Sequence, residues 1–563
     1  MAQPPTSQPP TSLPPIKKHL FTGPMTDKQR VNLDLQDSQV EVVSFLSNAS
    51  SYPGVVEAVD RIETHGAIVF LAGPRVYKLK RAVRLPYLDF STIEKRAAAC
   101  RNELIRNSAT AQEIYVGVAA VTRESDQTLK IDGEGEPVDW LVVMNRFEQA
   151  DLLDNIAGRH ELDVALMDPL AEEIADYHER ARQALDLDGD EVIARVINQI
   201  VTTASYAADT FGLKETQQLS LGLVQQLTRH SNLLRARSKS GKVRLCHGDL
   251  HLRNIVLQNG QPRLFDALEF DDALATTDVL YDLAFPLMDL WHRDLKTHAN
   301  RCFNTFASRS MQANELSGLA LMPLFMSVRA AIRALVAVDK LAVAPDKQDR
   351  PVLKEAHSYF SLANRFLETS EPVLMAVGGL SGTGKTTLAA AVAPSLGHAP
   401  GALHLRSDVE RKRMLRVPVL DKLPPQAYTS QASHNVYRRL CNRAEMALRA
   451  GHSVVVDAVF LEPMHRRWIE KVALRCGCKF LGLWLEAEQD QMIERVTNRE
   501  FDASDADGDV VRRQLKIFDY NACWSPIDTR GSAEAAVSQV RHVIQTNFPS
   551  ASSSASSNAS SSN

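Results

Sequence analysis

The chain has 563 residues, of which 44% are hydrophobic and 23% charged, and its formal net charge is -4 at pH 7. This length exceeds what a single hydrophobic core supports, so at least two domains are expected, and the composition is that of a soluble globular protein. The slightly negative charge excludes a global attraction to nucleic acid or to an anionic membrane, although a local basic groove stays possible.

Both ends of the chain have low complexity. Residues 1–36 are rich in proline, where a signal peptide would need an apolar run, and residues 549–563 are rich in serine. Both segments are therefore predicted to be disordered. The seven cysteines are scattered, which favours a reducing, cytoplasmic environment. The apolar stretch 319–338 contains Arg329, Arg333 and a proline, and is predicted to be a buried helix rather than a membrane anchor.

Between these ends, the hydrophobic periodicity predicts two folded domains. In the first, residues 37–366, short strands and one helix are followed by long helical segments after residue 161. In the second, residues 370–548, short apolar runs alternate with helical segments, which predicts a parallel sheet covered by helices.

The segment HGDLHLRN, residues 247–254, carries the first set of residues suited to catalysis. Asp249 and Asn254 stand five positions apart, and Asp266 follows an apolar strand about a dozen residues later. Phosphoryl transfer from ATP needs a carboxylate to orient and deprotonate the acceptor hydroxyl, and oxygen ligands to hold Mg²⁺. These three residues can supply both, although the triplet HGD taken alone favours a turn capped by an aspartate.

This segment resembles the catalytic loop of the aminoglycoside phosphotransferase and choline kinase-like families, which have the protein-kinase fold. The resemblance covers about residues 40–365 and implies an α+β domain with two lobes. It also implies that Asp249 is the catalytic base, that Asn254 and Asp266 bind Mg²⁺, and that His247 braces the loop.

The same resemblance implies an upstream lysine that binds the ATP phosphates and pairs with a glutamate on a helix. In RVYKLKR, Lys78 and Lys80 lie on one face of a strand because side chains alternate, and we favour Lys78. Glu103 in the next helix is the predicted partner. The segment LVVMNRF, which contains Met144, is the predicted hinge that contacts adenine.

The chain departs from the protein kinases in two places. No G-x-G-x-x-G loop precedes the lysine, and the metal motif reads Asp-Ala-Leu-Glu, ending in Glu269, instead of Asp-Phe-Gly. Both departures favour the branch of the fold that acts on small molecules. His178 is similar to a histidine that recurs in the helical lobe of this family, but helix packing is the favoured role. Arg329 and Arg333 either extend to solvent or bind an anionic substrate.

The segment GLSGTGKT, residues 379–386, matches the phosphate-binding pattern G-x-x-x-x-G-K-[ST] between a strand and a helix. In such a loop, backbone N–H groups surround a phosphate, the lysine reaches the β and γ phosphates, and the hydroxyl after it binds Mg²⁺. Asp457 at a strand end is the predicted second metal ligand beside Thr386, although a strand-end cap is an alternative. The predicted nucleotide-binding residues are Gly379, Ser381, Gly382, Thr383, Gly384, Lys385, Thr386 and Thr387.

This half resembles small P-loop kinases such as gluconate kinase, the zeta-toxin kinases and the polynucleotide kinases, over about residues 370–545. The resemblance implies an α/β domain in which Asp408, just after the second strand, contacts the acceptor hydroxyl. Arg411 and Arg413 would then help to hold an anionic or polyhydroxylated acceptor.

A lid is the last feature that this resemblance implies. Arg495 and Arg499 stand at i and i+4, on one face of a predicted helix, before an Asp-rich loop. Arginines in such a lid close over the transferring phosphoryl group and neutralise its charge. A solvated charged helix is the alternative.

The tandem order resembles bacterial proteins described as bifunctional aminoglycoside phosphotransferase/ATP-binding proteins, on the stretches VYKLKRAVRLPYLDFST, HGDLHLRNIVL and GGLSGTGKTTLA. This implies a cytoplasmic kinase that uses ATP and Mg²⁺ at two sites and phosphorylates hydroxyls of small polar molecules, without a membrane. Alternatively, one domain regulates the other by binding a ligand or hydrolysing ATP, or the P-loop domain is a polynucleotide 5′-kinase. The last reading needs aromatic platforms, whereas Trp468, Trp484 and Trp524 stand far apart.

Overall fold

The structure is a computed structural model that describes residues 38–64, 66–85, 88–343, 349–368, 370–499, 502–517 and 524–547. The predicted disordered segments 1–36 and 549–563 lie outside the described residues. The chain divides into two compact units. The first comprises Met1–Phe147 and Leu268–Asp272, and the second comprises Glu148–Ala267 and Ala273–Asn563.

The first unit is built on a six-stranded sheet in the order β1-β2-β3-β8-β6-β7, in which all neighbours are antiparallel. Its strands are β1 (Asp60–Glu63), β2 (Ala67–Ala72), β3 (Arg75–Lys80), β4 (Arg84–Leu85), β5 (Leu88–Asp89), β6 (Tyr115–Arg123), β7 (Leu129–Ile131) and β8 (Glu136–Asn145). Its helices are α1 (Val40–Leu46) and α2 (Ile93–Asn107). The hydroxyl of Thr92 accepts the Lys95 N–H and so begins α2, which lies beside β8 and buries Glu103 completely.

The second unit begins with a helical region. Its helices are α3 (Leu153–Gly158), α4 (Met167–Arg180), α5 (Gly189–Tyr206), α6 (Ala208–Phe211), α7 (Leu213–Lys239), α8 (Asp272–Ala275), α9 (Val279–His292), α10 (Lys296–Ser310), α11 (Met322–Val343) and α12 (Asp349–Phe366). Two small antiparallel sheets pair β9 (Val243–Leu245) with β12 (Thr276–Asp278) and β10 (Ile255–Gln258) with β11 (Gln261–Leu264). Helix Ala313–Asp339 is apolar and long enough to cross a membrane, yet 72% of its most apolar stretch is buried inside the protein, as in a core helix.

The second unit continues into a parallel five-stranded sheet in the order β14-β15-β13-β16-β17. Its strands are β13 (Val373–Gly379), β14 (Leu403–Arg406), β15 (Val454–Asp457), β16 (Lys479–Glu486) and β17 (Ser525–Asp528). Its helices are α13 (Lys385–Val392), α14 (Ser407–Leu415), α15 (Ser430–Arg449), α16 (Pro463–Cys476), α17 (Gln489–Thr497), α18 (Gly508–Ile517) and α19 (Ala533–Asn547). This is the predicted parallel sheet, and ligands of such sheets bind at the carboxyl ends of the strands.

Candidate active sites

The β10–β11 hairpin positions the two predicted metal ligands of the first site. Asn259 and Gly260 form its turn with φ angles of 50° and 74°, the left-handed conformation that an Asn-Gly hairpin turn requires. At the open end, the Phe265 N–H donates to the Asn254 carbonyl at 3.1 Å. Asn254 and Asp266 therefore flank the open end of one hairpin, and Asp266 has a φ of 59°.

Asp249 is held on one side and open on the other. The Asn254 amide Nδ2 donates to the Asp249 carbonyl at 2.9 Å and to its carboxylate at 3.1 Å. The His251 Nε2 lies 3.5 Å from the same carboxylate, while 42% of the Asp249 side chain is exposed. This orientation leaves the Asn254 Oδ1 without a hydrogen-bond donor in the described part of the chain. Mg²⁺ binds oxygen ligands, and an amide oxygen beside carboxylates provides such ligands.

A buried carboxylate braces this loop from below. Asp282, in the apolar helix α9, accepts the backbone N–H groups of His247 at 3.2 Å and Gly248 at 2.9 Å, and it contacts His178 Nε2 at 2.9 Å. Arg329 Nη1 donates to the Gly248 carbonyl at 3.0 Å. Burial raises the pKa of Asp282, but the hydrogen bond and charge of His178, with the charges of His247 and Arg329, outweigh it and lower the pKa to about 2.

These contacts change two of the sequence-based interpretations and agree with a third. Arg329 is only 5% exposed and lies over the rings of Tyr281 and Phe285, so it holds the loop instead of reaching solvent or a substrate. His178 does more than pack between helices, because its ring binds Asp282. His247 Nε2 contacts the Phe265 carbonyl at 3.0 Å, which ties the loop to the hairpin as a brace would.

In the first unit, both candidate lysines contact Glu103. Lys78 Nζ lies 2.9 Å from Glu103 Oε1, and Lys80 Nζ contacts both Glu103 Oε2 and Glu269. Burial lowers the pKa of Lys80, but the charges of Glu103 and Glu269 outweigh it, and the net pKa is raised. The Lys78 side chain is 14% exposed and that of Lys80 is 2% exposed, so Lys78 stays the favoured phosphate ligand. Met144 lies near the end of β8 and is buried.

The segment after β13 forms a phosphate-binding loop whose shape requires glycine. Gly382 and Gly384 have φ angles of 85° and 86°, and a Cβ atom on Gly382 would lie 2.4 Å from the Met492 carbonyl oxygen. Lys385 Nζ donates to the Leu380 carbonyl at 2.8 Å. Six predicted residues line the adjoining cavity: Ser381, Gly382, Gly384, Lys385, Thr386 and Thr387. Gly379 ends β13, and the hydroxyl of the buried Thr383 donates within the loop.

The two predicted metal ligands of this second site are in contact. Thr386 Oγ1 donates to Asp457 Oδ2 at 2.5 Å, and Asp457 is 3% exposed. His404 and Arg406 on β14 lie 3.6 and 4.0 Å from the same carboxylate, and sequence reasoning missed both. Burial raises the pKa of Asp457, but the nearby His404 ring, together with the charges of Lys385 and Arg406, outweighs burial and lowers this pKa to about 2.

Asp408 follows β14 directly, in the first turn of α14. Burial and the charge of Asp457 raise its pKa. Arg411 is held by the Ala427 carbonyl at 2.7 Å. Arg413 donates to the Met311 carbonyl of the helical region. The sequence, which suggested only that Arg413 helps to hold the acceptor, did not predict this contact.

The helix predicted to carry both lid arginines ends too early for that role. Helix α17 stops at Thr497, so Arg499 lies beyond it and the predicted shared helical face is wrong. Thr497 and Asn498 both have low helix propensity, which favours a helix end there. Arg495 donates to the carbonyls of Gly382 at 3.4 Å and Thr529 at 2.8 Å, and its contact with Gly382 joins it to the phosphate-binding loop. Arg499 lines the cavity.

Two parts of the chain match known protein families. Residues 97–309 match the model of a family described as Phosphotransferase enzyme family, and residues 374–520 match one described as AAA domain. The chain joins a phosphotransferase-family domain to a P-loop kinase-like domain. The predicted resemblance and fold class are thereby confirmed.

Several individual proteins resemble the chain. An uncharacterized protein of Mycobacterium tuberculosis (strain ATCC 25618 / H37Rv) is 29% identical over 497 residues, which cover 86% of this chain and 95% of that protein. A choline/ethanolamine kinase family protein from Mesorhizobium loti is 12% identical, with a TM-score of 0.36, over 59% of this chain and 96% of that chain. A gluconokinase from Sinorhizobium meliloti 1021 is 16% identical, with a TM-score of 0.24, over 31% and 95%.

A cavity of about 2820 Å³ adjoins the phosphate-binding loop of the P-loop domain. Its lining includes Lys385, Asp408, Asp457 and Arg499. The helical region of the phosphotransferase-family domain contributes a second wall, from α4 and α10, which includes Asp168. The cavity is thus built by both domains within the second compact unit.

Proposed function

We propose that the protein is an ATP- and Mg²⁺-dependent phosphotransferase with two nucleotide sites, each transferring a γ-phosphoryl group to a hydroxyl of a small polar molecule. The observation that carries this proposal is that each domain has its own set of oxygen ligands. Asn254 and Asp266 flank one hairpin, and Thr386 contacts Asp457 in the P-loop domain. The sites therefore need not compete for one nucleotide.

In the phosphotransferase-family domain, Asp249 accepts the proton of the acceptor hydroxyl. Its carboxylate is oriented by Asn254 and partly exposed, as a base that must reach a substrate requires. Lys78, paired with Glu103, binds the ATP phosphates. Asn254 and Asp266 would hold Mg²⁺, which would neutralise charge on the phosphate oxygens.

In the P-loop domain, Lys385 and the loop N–H groups bind the phosphates, and Thr386 and Asp457 would hold Mg²⁺. Asp408 receives the proton of the acceptor, a role that its raised pKa suits because a stronger base accepts a proton more readily. Arg499 stabilises charge on the transferring group from the cavity wall.

The proposal is tested by measuring ATP-dependent phosphorylation across sugars, aminoglycosides, nucleosides and oligonucleotide ends. Asp249→Asn should abolish transfer to one class of acceptor and Lys385→Ala to another, while each leaves the other activity intact. Asp294→Asn and Lys471→Ala, both at exposed positions, are the matched controls. If neither test variant lowers any transfer, the reading as two kinases fails. Transfer only to oligonucleotide ends would favour a polynucleotide 5′-kinase for the P-loop domain.

A regulatory role for one domain is the second candidate, and contacts between α10 and β14 favour it. Asn304 Oδ1 accepts the His404 N–H at 2.6 Å, and both Asn300 and Asn304 donate to the Ala402 carbonyl. Since His404 lies beside Asp457, a shift of α10 would also move the surroundings of Asp457, the carboxylate proposed to hold Mg²⁺. In either case we expect a cytoplasmic protein that acts without a membrane.

A further inference from the structure

Three side chains of metal-binding types meet on helices α15 and α16 of the P-loop domain. His434 lies in α15, Glu462 directly precedes α16, and His465 lies in the first turn of α16. The Glu462 Oε2 atom lies 3.5 Å from His434 Nε2 and 4.0 Å from His465 Nε2. The three ligand atoms all lie within 4.8 Å of one another. Two imidazoles and one carboxylate thus converge on a single point.

The histidine nitrogens at this point lack hydrogen-bond partners in the described residues. His465 is 2% exposed, and its Nε2 atom is buried without a partner, as is that of His434. A buried polar atom left unpaired costs about 1–3 kcal/mol, so a site that leaves two of them unpaired points to a missing ligand. The ring of Tyr437 stacks on His465 at 3.7 Å and fixes its orientation.

We propose that His434, Glu462 and His465 bind a Zn²⁺ ion. Zinc bonds of about 2.0–2.2 Å place tetrahedral ligand atoms about 3.4 Å apart. Here Glu462 Oε2 lies 3.5 Å from His434 Nε2 and 4.0 Å from His465 Nε2, so binding needs only small side-chain shifts toward the ion. Imidazole nitrogens favour zinc over Mg²⁺ or Ca²⁺, which prefer all-oxygen ligands. Three protein ligands leave a fourth position for water or a substrate oxygen, and Glu462 and His465 line the cavity of the P-loop domain.

A second cluster in the described residues has similar spacing but a different character. His178, Cys246 and Asp282 also lie within ligand distance of one another. There the Asp282 oxygens already accept backbone N–H groups and contact His178. Burial raises the pKa of the Cys246 thiol well above its usual value, so it stays protonated. Asp282 and His178 of this second cluster already bond to each other, and Asp282 holds the loop that carries Asp249. The Nε2 atoms of His434 and His465, by contrast, have no hydrogen-bond partner in the described residues.

Zinc binding by the full-length protein tests the proposal directly. The protein is stripped with a chelator, and Zn²⁺ is then titrated in excess Mg²⁺ by equilibrium dialysis, with bound metal counted by elemental analysis. We expect each of three variants to bind one zinc fewer per chain than the wild type, or to bind it with lower affinity: His434→Ala, Glu462→Gln and His465→Ala. The loss of affinity should exceed the roughly 10- to 100-fold that results from removing a residue that only hydrogen-bonds to a metal ligand. His542→Ala, at an exposed position in α19, should match the wild type.

Two further measurements keep the result decisive. Co²⁺ bound in place of zinc should show the visible absorption of a low-symmetry site without a thiolate charge-transfer band, which excludes the free cysteines as ligands. If His465→Ala fails to fold, Glu462→Gln still serves, because the Glu462 side chain is 49% exposed. Unchanged zinc affinity and stoichiometry in Glu462→Gln and His434→Ala would overturn the proposal. No turnover is measured, so failure of the proposed kinase activity would leave this test unaffected.

Discussion

Replacement of Asp282 by asparagine tests how the loop that carries Asp249 is held. The carboxylate accepts two backbone N–H groups, contacts His178, and lies 3.6 Å from Arg329 Nη2. Asparagine has the same shape but turns an NH₂ group toward a site that now offers only donors. It also removes the negative charge beside Arg329, which is buried. The variant should therefore loosen the loop that carries Asp249.

The magnitude follows from the pKa of Asp282 and from its ion pairing. A pKa of about 2, against an ordinary value of 3.8, corresponds to about 2 kcal/mol of stability at neutral pH. Because the pKa is depressed in the folded state, this contribution is present above pH 3.8 and is lost as the pH falls toward 2. Removing one partner of a buried pair costs roughly 3–5 kcal/mol. We expect Asp282→Asn to lower the free energy of unfolding at pH 7 by about 2–5 kcal/mol.

Urea denaturation and hydrogen exchange by mass spectrometry measure the two parts of this effect. The midpoint of unfolding should fall, and the amides of His247 and Gly248 should exchange faster than in the wild type because they lose their acceptor. Asp294→Asn, in which 85% of the replaced side chain is exposed, should change neither quantity. If Asp282→Asn unfolds at the wild-type urea concentration and protects these amides equally, the carboxylate does not brace the loop.

Three further predictions concern other parts of the chain. Lys78→Met should abolish transfer at the first site with little loss of stability, whereas Lys80→Met removes the buried cation that contacts both Glu103 and Glu269 and should cost roughly 3–5 kcal/mol; equal unfolding midpoints would contradict this. Asn304→Ala should cost about 1–3 kcal/mol and slow the P-loop site more than the first site, as single-site kinetics would show. Burial lowers the pKa of His452 well below 6.5, so the unfolded chain alone takes up this proton and stability falls by about 1.4 kcal/mol per pH unit below that value. His452→Phe should flatten this dependence in urea titrations, and an unchanged slope would refute it.

The sequence predicted best where neighbouring residues carry the structure. The phosphate-binding loop depends on adjacent residues whose backbone preferences are strong. Thr386 and Asp457, predicted together as metal ligands, are in contact, because the residues that follow parallel strands meet at one edge of a sheet. Their role in metal binding stays a prediction. The contacts of Asp282 were missed, because no sequence pattern predicts which residues of a distant loop an aspartate in an apolar helix will contact.

Two other uncertainties had physical causes of their own. Lys78 and Lys80 share a strand face, so alternation cannot separate them, and only the burial of Lys80 against Glu269 does so. Arg495 and Arg499 have helical spacing, but spacing alone does not show where a helix ends. The helix stops between them, and the two side chains then meet different partners.

The contacts of β14 give a physical reason why the two domains share one chain. Because β14 is the edge strand of its sheet, no neighbouring strand in the described residues pairs with the backbone groups on its outer side. Asn300 and Asn304 of the helical region both donate to the carbonyl of Ala402, which directly precedes β14. Asn304 also accepts the His404 N–H. The same strand places His404 and Arg406 beside Asp457, so these asparagines help to fix the groups that keep this carboxylate ionised. A P-loop domain separated from α10 would lose that support at the residue proposed to hold its metal, whichever acceptor it phosphorylates.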